Sequence, residues 1–175
     1  TFGCCRFIYN RMLSDKIDRY RQDKTMLRTT PASYKKEFPW LKEVDSLALC
    51  NVQLNLEKAY KNFFARPETG FPKFKSKHHS AASYTTNFVN GNIRIENGRL
   101  RLPKAGNVKI VCHREIPSEW KMKSVTIRRE PTGKYYASIL CECEAVENQD
   151  SFALPEEKNI LGIDFAMHGL AVFSD

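Results

Sequence analysis

The hydrophobic pattern of this sequence changes its period once, between residues 66 and 80, and this change constrains the fold more than any other feature. Before it, apolar residues recur every three or four positions, and after it they alternate in short runs. The first pattern is typical of amphipathic helices and the second of half-buried strands. Pro67, Gly70 and Pro72 lie between the two parts and prevent a helix from continuing. The sequence therefore predicts an α+β chain with its helices first.

Two long helices are predicted before this break. Residues 2–24 carry apolar side chains at helical spacing, with Lys16 among the charged residues that fill the other faces. A second helix is predicted over Ser46–Ala65, with Asp45 or its neighbour as the N-cap. Residues 25–39 are more polar and contain two prolines, which leave room for a short helix. We expect the two long helices to pack together as a small helical unit.

Six short alternating runs follow the break and predict strands. They cover residues 83–88, 92–96, 99–102, 108–112, 124–129 and 135–144, and turns rich in Gly and Asn separate them. In the fifth run, Val125 and Ile127 are predicted to face one side, with Thr126 and Arg128 on the other. Regular short strands with such turns are typical of an antiparallel barrel or sandwich.

The charge of the chain is positive but uneven. The formal net charge is +8. Residues 1–80 carry 16 Lys and Arg against 8 Asp and Glu, residues 81–150 carry 11 against 8, and residues 151–175 carry 1 against 4. A basic body with an acidic end indicates a polyanionic partner for the first part and a cation for the second.

The cysteines indicate a reduced protein. Two of the six are adjacent, Cys4 and Cys5, and Cys141 and Cys143 are separated by one residue, which is unlike a secreted disulfide framework. With no signal peptide and no long apolar span, the sequence predicts a cytoplasmic protein without a membrane partner. Paired CxxC spacing is missing around Cys112-His113 and these cysteines, so a zinc site there is disfavoured.

Residues 70–77, GFPKFKSK, form the strongest candidate binding segment, called the basic segment below. Phe71 and Phe74 interleave with Lys73, Lys75 and Lys77 in an extended stretch. Ammonium groups suit phosphates, and aromatic rings suit sugars or bases, so the segment fits a nucleic-acid backbone. A solvated basic loop is the alternative, and the pattern alone leaves both open.

Further cations complete the candidate nucleic-acid surface. The predicted strands and loops contribute many Arg and Lys residues, which also suit an ordinary solvated face. The residues that we select as nucleic-acid-binding candidates are Arg66, Phe71, Lys73, Phe74, Lys75, Lys77, Arg114, Lys123 and Arg128.

Asp164 is the candidate for catalysis. It lies near the end of the near-continuous apolar run at residues 160–165, and residues 166–169 then form a short turn before a second apolar run at 170–173. A carboxylate fixed beside a turn, joined by acids from neighbouring strands, can hold Mg²⁺. The alternative is a carboxylate paired with a turn amide or an arginine, and spacing alone favours this alternative.

A family resemblance extends over nearly the whole chain. The stretches TFGCCRFIYN, FPWLKEVDSLAL, AYKNFF, GFPKFKSK, SYTT, GNIRIENGRLRLPKAGNVKI, HREI and LGIDFAMHGLAVFSD occur in one order. Together they closely resemble the TnpB (OrfB) proteins of insertion sequences, long labelled transposases and related to type V CRISPR effectors. The resemblance implies an RNA-guided DNA endonuclease with guide RNA and double-stranded target DNA as partners, located in the cytoplasm with the nucleoid. It implies no small-molecule substrate.

The resemblance also implies three regions and a metal site. Residues 1–80 would form a helical recognition-type unit with a basic linker, and residues 81–150 an oligonucleotide-binding-type β-barrel of the wedge type. Residues 151–175 would begin a truncated RuvC-like nuclease domain of the RNase H class. Asp164 matches the first carboxylate of the family's GID motif and would be catalytic and a Mg²⁺ ligand. The family turn has glycine where this chain has Ala166, which puts the turn geometry in question.

Members of the family continue to a second catalytic Glu, a zinc ribbon and a final Asp, so zinc is expected only in such a following part. We therefore expect this chain to be the N-terminal part of a longer nuclease that binds nucleic acid but does not cut alone. Two other interpretations stay open. One is a non-catalytic nucleic-acid-binding remnant or regulator, and the other is a transposase that catalyses strand transfer.

Overall fold

A computed structural model describes residues 1–78, 81–143, 163–166 and 169–173. The chain divides into two compact units, Thr1–Cys143 and Glu144–Asp175. In the described residues, no helix has both the length and the apolar character needed to cross a membrane.

The first unit begins with two long helices joined by short ones. They are α1 (Phe2–Asp23), α2 (Pro31–Tyr34) and α3 (Ser46–Ala65), with 3-10 turns at Pro39–Glu43 and Pro67–Thr69. The helices predicted at residues 2–24 and Ser46–Ala65 are confirmed almost to the residue, because both carry a continuous apolar stripe.

The helical core confirms the predicted packing of α1 against α3. Ile8, Met12 and Leu13 of α1 are fully buried together with Leu49 and Leu56 of α3. A fully buried aliphatic side chain contributes about 1.5–3 kcal/mol relative to its exposed state. This apolar contact therefore holds the two helices together.

Lys16 does not lie on a solvated face, and this expectation was wrong. The residue is buried, its Nζ donates a hydrogen bond of 2.6 Å to the Leu27 carbonyl, and the ammonium lies 6.0 Å from the Tyr60 ring centroid. Burial lowers the pKa of Lys16, while Glu57 opposes this shift. The long aliphatic stem can enter the core because its charged end has a carbonyl partner.

Six strands complete the first unit. They are β1 (Ala82–Asn87), β2 (Arg94–Glu96), β3 (Arg99–Leu102), β4 (Gly106–Lys109), β5 (Lys121–Arg129) and β6 (Tyr135–Glu142). They form two antiparallel sheets, ordered β1-β5-β6 and β2-β3-β4. Asn97 and Gly98 connect β2 to β3 with positive φ angles of 51° and 67°, as a tight two-residue hairpin requires.

The two sheets share one apolar core. Val125 and Ile127 of β5 are buried with Ile93, Leu100 and Leu102 from the β2-β3-β4 side. Thr126 is half-buried and Arg128 is exposed, so the predicted alternation along this strand is confirmed. Alternating side chains give each sheet one apolar face, and these two faces meet.

The expected closed barrel is not formed by the described strands. β1 pairs with β5 and not with β2, because the turn at Asn90 and Gly91 carries the chain into the other sheet. β4 pairs with β3, and residues 110–120 before β5 contain no strand. The described part of the chain is therefore an α+β structure with two separate sheets.

A polar junction attaches α3 to the first sheet. The buried Asp45 carboxylate caps α3 by accepting from the Leu47 N–H at 3.0 Å, and it also accepts from the Thr86 hydroxyl of β1 at 2.5 Å. Asn51 donates to the Thr85 carbonyl at 3.1 Å. Because Asp45 is the N-cap of α3 and Thr86 is fully buried, this junction fixes the start of the helix against the strand.

The second unit contains one described strand pair. β7 (Ile163–Ala166) and β8 (Gly169–Phe173) are antiparallel, with Ile163 opposite Phe173 and Asp164 opposite Val172. This pairing agrees with the predicted hairpin. Its assignment to an RNase H-type domain stays a prediction.

Replacing Asp45 with alanine should destabilise the first unit by about 3 kcal/mol. This sum combines a lost N-cap at about 1 kcal/mol with a lost hydrogen bond to a charged group at about 1.5–3 kcal/mol. Urea unfolding of Asp45→Ala against wild type measures it. Asp18→Ala, an exposed acid on α1, is the control, and equal losses for both variants would contradict the importance of the junction.

Replacing Tyr34 with phenylalanine should reduce the alkaline loss of stability. Burial raises the pKa of Tyr34 to about 12, and its hydroxyl donates to Asp15 at 2.7 Å. The folded state thus keeps a proton that the unfolded state loses near pH 10, so stability present below pH 10 is lost between about pH 10 and 12. At about 1.4 kcal/mol per pH unit, the difference amounts to about 2–3 kcal/mol. Unfolding curves across this pH range measure it, with the exposed Tyr20→Phe as control; parallel pH profiles for wild type and Tyr34→Phe would refute it.

Candidate nucleic-acid interface

The basic segment has no regular secondary structure at residues 70–76 and is hydrogen-bonded to α1. It begins at Gly70, whose φ of 77° suits glycine. The Asn10 side chain of α1 holds its middle in two ways. Its oxygen accepts from the Lys75 N–H, and its amide donates to the Lys75 carbonyl, both at 2.8 Å. The backbone of the segment is thus held in position by a helix side chain.

Phe71 is the aromatic anchor of the basic segment. Its ring meets Tyr60 and Phe63 of α3 edge-on, with centroid distances of 5.5 and 5.4 Å. Edge-to-face pairs of this kind are favourable beyond the area they bury. The adjacent Pro72 is buried. These contacts attach the start of the segment to α3.

Lys75 is engaged with the protein as well. Its Nζ lies 4.3 Å from the centroid of the Tyr9 ring, within the range of a cation–π interaction. Burial lowers the pKa of Lys75, and the nearby Cys5 opposes this shift. The charge of Lys75 is therefore directed toward α1.

Lys73, Phe74 and Lys77 form the free part of the segment. All three are exposed, and Phe74 keeps 57% of its surface accessible. Within the described ranges, neither lysine forms an ion pair. The more exposed ring, Phe74, therefore lies between these two lysines in sequence, while Phe71, itself 44% exposed, and Lys75 make the contacts that hold the segment in place.

The other predicted residues lie elsewhere on the unit. Arg66 follows α3, and its N–H donates to the Asn62 carbonyl at 2.8 Å. Lys123 forms an ion pair with Glu142 at 2.6 Å, and Arg128 one with Glu130 at 2.9 Å. Exposed pairs of this kind contribute little to stability.

Arg114 is exposed in the loop before β5. The structure places Arg66 close in sequence to the basic segment, and Arg114, Lys123 and Arg128 on the other part of the unit.

A second basic surface, called the sheet face below, was not selected from the sequence. Arg94 of β2 lies directly opposite Arg101 of β3, and Arg99 lies directly opposite Lys109 of β4. All four are exposed, and the apolar residues between them turn to the core. Like charges directly opposite each other are destabilising in a sheet. The alternating R-I-E and R-L-R-L runs signalled an outward face, but only the register reveals the like-charged pairs.

Asn10 and Arg6 of α1 are further residues that sequence analysis missed. Both lie on α1 among apolar residues, so the local sequence pattern did not indicate that Asn10 would hydrogen-bond to the basic segment.

Asp164 is placed in β7, opposite Val172, next to a register irregularity before Ala166. In the part of the chain that the structure describes, no three His, Cys, Asp or Glu side chains come together as a metal site. A single carboxylate does not hold a catalytic Mg²⁺, so the described residues alone do not fit the metal and support no cleavage step.

Comparison with known proteins gives consistent matches. The family model HTH_OrfB_IS605, a helix-turn-helix domain, matches residues 1–25. Two relatives bear the name "Putative RNA-guided DNA endonuclease". One, from Streptomyces pristinaespiralis, is 30% identical over 81% of this chain and 37% of its own length. The other, InsQ of Escherichia coli K12, is 31% identical over 99% of this chain and 42% of its own length.

A third relative, virulence protein VsdF of Salmonella dublin, is 34% identical over 44% of this chain and 77% of its own length. The chain spans about two fifths of the length of the two nuclease-named relatives. The OrfB-type match at α1 and the two long alignments agree with the motifs that run along the sequence. The chain belongs to the TnpB/OrfB family of insertion-sequence proteins.

Proposed function

We propose that the complete protein is a transposon-encoded, RNA-guided and Mg²⁺-dependent DNA endonuclease, and that the unit Thr1–Cys143 binds its nucleic acids. The names of the two long relatives support this proposal. The partners would be a guide RNA and a double-stranded target DNA. Base pairing with the guide would select the target, while the protein holds the backbones.

The observation that carries the proposal is the positioned basic segment. Asn10 fixes its backbone, and Phe74 is exposed between Lys73 and Lys77. An aromatic ring beside cations suits an unpaired strand, because the ring can stack on a base while the ammonium groups contact phosphates. The two hydrogen bonds from Asn10 distinguish this segment from an unattached solvated loop.

The sheet face gives independent support. The same strands carry four cations and one acid, Glu96, which lies directly opposite Arg99 and whose carboxylate is 4.0 Å from Arg94. Mutual repulsion of these cations is relieved when phosphates bind and condensed counterions are released. A polyanion is therefore the partner that such a face suits.

For catalysis, we propose Asp164 as one carboxylate of a Mg²⁺ site that further acids outside the described residues would complete. Bound Mg²⁺ would supply Lewis-acid stabilisation of charge on a phosphodiester. Within the described residues, Asp164 is the carboxylate that β7 would contribute to this site.

Charge and stacking in the basic segment should separate experimentally. Phe74→Ala should weaken binding of a labelled single strand about tenfold or more, at roughly 1–3 kcal/mol per stacked base, with the salt dependence unchanged. Lys73→Gln should lower the slope of log K against log salt by about 0.7. Fluorescence anisotropy over a salt series measures both.

The controls are Phe88→Ala and Lys42→Gln, an exposed ring and an exposed cation outside the basic segment. If these controls weaken binding as much as the segment variants do, the basic segment is not the interface.

The chain of 175 residues should bind nucleic acid without cutting it. Asp164 needs further carboxylates to hold Mg²⁺, and none joins it within the described residues, so we expect incubation of the purified chain with duplex DNA and Mg²⁺ to leave the DNA intact on a denaturing gel. Cleavage that disappears in Asp164→Ala would disprove this. Cleavage that persists in that variant would indicate a contaminating nuclease and calls for repurification.

A further inference from the structure

A cleft between α1, α3 and β1 contains a second group of cations. Arg6 of α1 and Lys75 of the basic segment both line it, together with Asn55 of α3 and Ser83 of β1. No acidic residue is among its lining residues. We refer to it as the Arg6 cleft.

The polar side chains of the Arg6 cleft are available for a ligand. In the described residues, no hydrogen bond or ion pair engages the side chains of Arg6, Asn55 or Ser83. Two other polar side chains of the lining are already committed, because the Asn51 amide donates to the Leu47 and Thr85 carbonyls and the Thr85 hydroxyl is hydrogen-bonded to that of Thr126. The cleft therefore holds a guanidinium, an amide and a hydroxyl whose donor capacity is unused.

The charge of the cleft is not neutralised from within. Cys5 also lines it, but burial raises the pKa of this thiol to about 11, so it is neutral at physiological pH. Lys75 also lines the cleft, and its ammonium lies over the Tyr9 ring and is not paired with a carboxylate in the described residues.

The size of the cleft suits a compact anion. It offers about 70 Å³ to the centres of water-sized groups. Since about 10–15 Å³ of such volume admits one water, there is room for a group of the size of a phosphate. A guanidinium forks onto two oxygens of a phosphate, and a lysine adds a point charge.

We propose that the Arg6 cleft binds one phosphate group of the nucleic acid that follows the basic segment. This inference rests on the proposed function, because a strand lying along the exposed cations at Lys73 and Lys77 passes Lys75, where the segment enters the cleft. Arg6 binds the phosphate directly, and Ser83 and Asn55 supply neutral donors. The cleft thus fixes one position of the backbone, while Phe74 stacks farther out.

The matched pair Arg6→Gln and Arg21→Gln tests the site, since both arginines lie on α1 and Arg21 is exposed at its far end. Binding of a labelled oligothymidylate is measured over a salt series. Arg6→Gln should weaken binding about tenfold, as expected for a charged hydrogen bond, and lower the salt slope by about 0.7. Arg21→Gln should change neither. Equal behaviour of the two variants would overturn the proposal.

An abasic strand distinguishes a phosphate from a base in the cleft. The ratio of wild-type to Arg6→Gln affinity should be the same on the abasic strand, because only phosphates remain there. A ratio that falls to one would show that the cleft takes a base and would overturn the proposal. If wild type binds neither strand in a salt-dependent way, the proposed function itself fails, which is a different result from a failure of Arg6 alone.

A carboxylate placed in the cleft gives a readout that structural damage cannot imitate. Ser83→Asp places a carboxylate in a cleft lined by Arg6 and Lys75 and opposite Arg128 of β5, so thermal stability should stay equal to or exceed that of the neutral control Ser83→Asn. Nucleic-acid binding should fall about tenfold relative to that control. Parallel losses of stability and binding in Ser83→Asp would indicate misfolding and count against an anion site.

Discussion

The structure of the first unit depends on one buried carboxylate. Asp45 satisfies an amide at the start of α3 and the hydroxyl of Thr86 in the middle of β1 at the same time. A buried charge is tolerable only when such partners surround it. Through this group the helical layer and the sheet layer are aligned, and β1 then places Ser83 and its neighbours along the side of α3. The Arg6 cleft between α1, α3 and β1 follows from this alignment.

The candidate binding surface is built from side chains with different roles in one short segment. Phe71 and Lys75 contact the helices and fasten the segment, whereas Lys73, Phe74 and Lys77 are exposed. Rigid positioning matters for affinity, because a strand that is already ordered loses less conformational entropy when it binds. The aromatic and cationic residues therefore act from a fixed support.

Local patterns predicted the elements, and contacts between distant elements decided the rest. α1, α3 and β3 follow from periodicity and turn chemistry, which are properties of neighbouring residues. Periodicity wrongly predicted a solvated position for Lys16, because its hydrogen-bond partner, the Leu27 carbonyl, lies in a loop without periodic structure. Likewise, the basic segment could be selected from composition, but its attachment to Asn10 spans 65 positions in sequence. The role of Asp164 stays a prediction, because it depends on residues that the described part does not bring together.

The like-charged pairs of the sheet face couple folding to binding. Arg94 faces Arg101 and Arg99 faces Lys109, so the free sheet carries a repulsion that its apolar core must overcome. Mobile salt screens this repulsion and favours the free sheet, yet the same salt competes with phosphates for the cations. Higher ionic strength would therefore stabilise the free sheet and weaken its binding to phosphates. Under the proposed function, a bound polyanion would reduce this repulsion as salt does and remain attached, so a nucleic acid would also be a stabilising ligand of the fold.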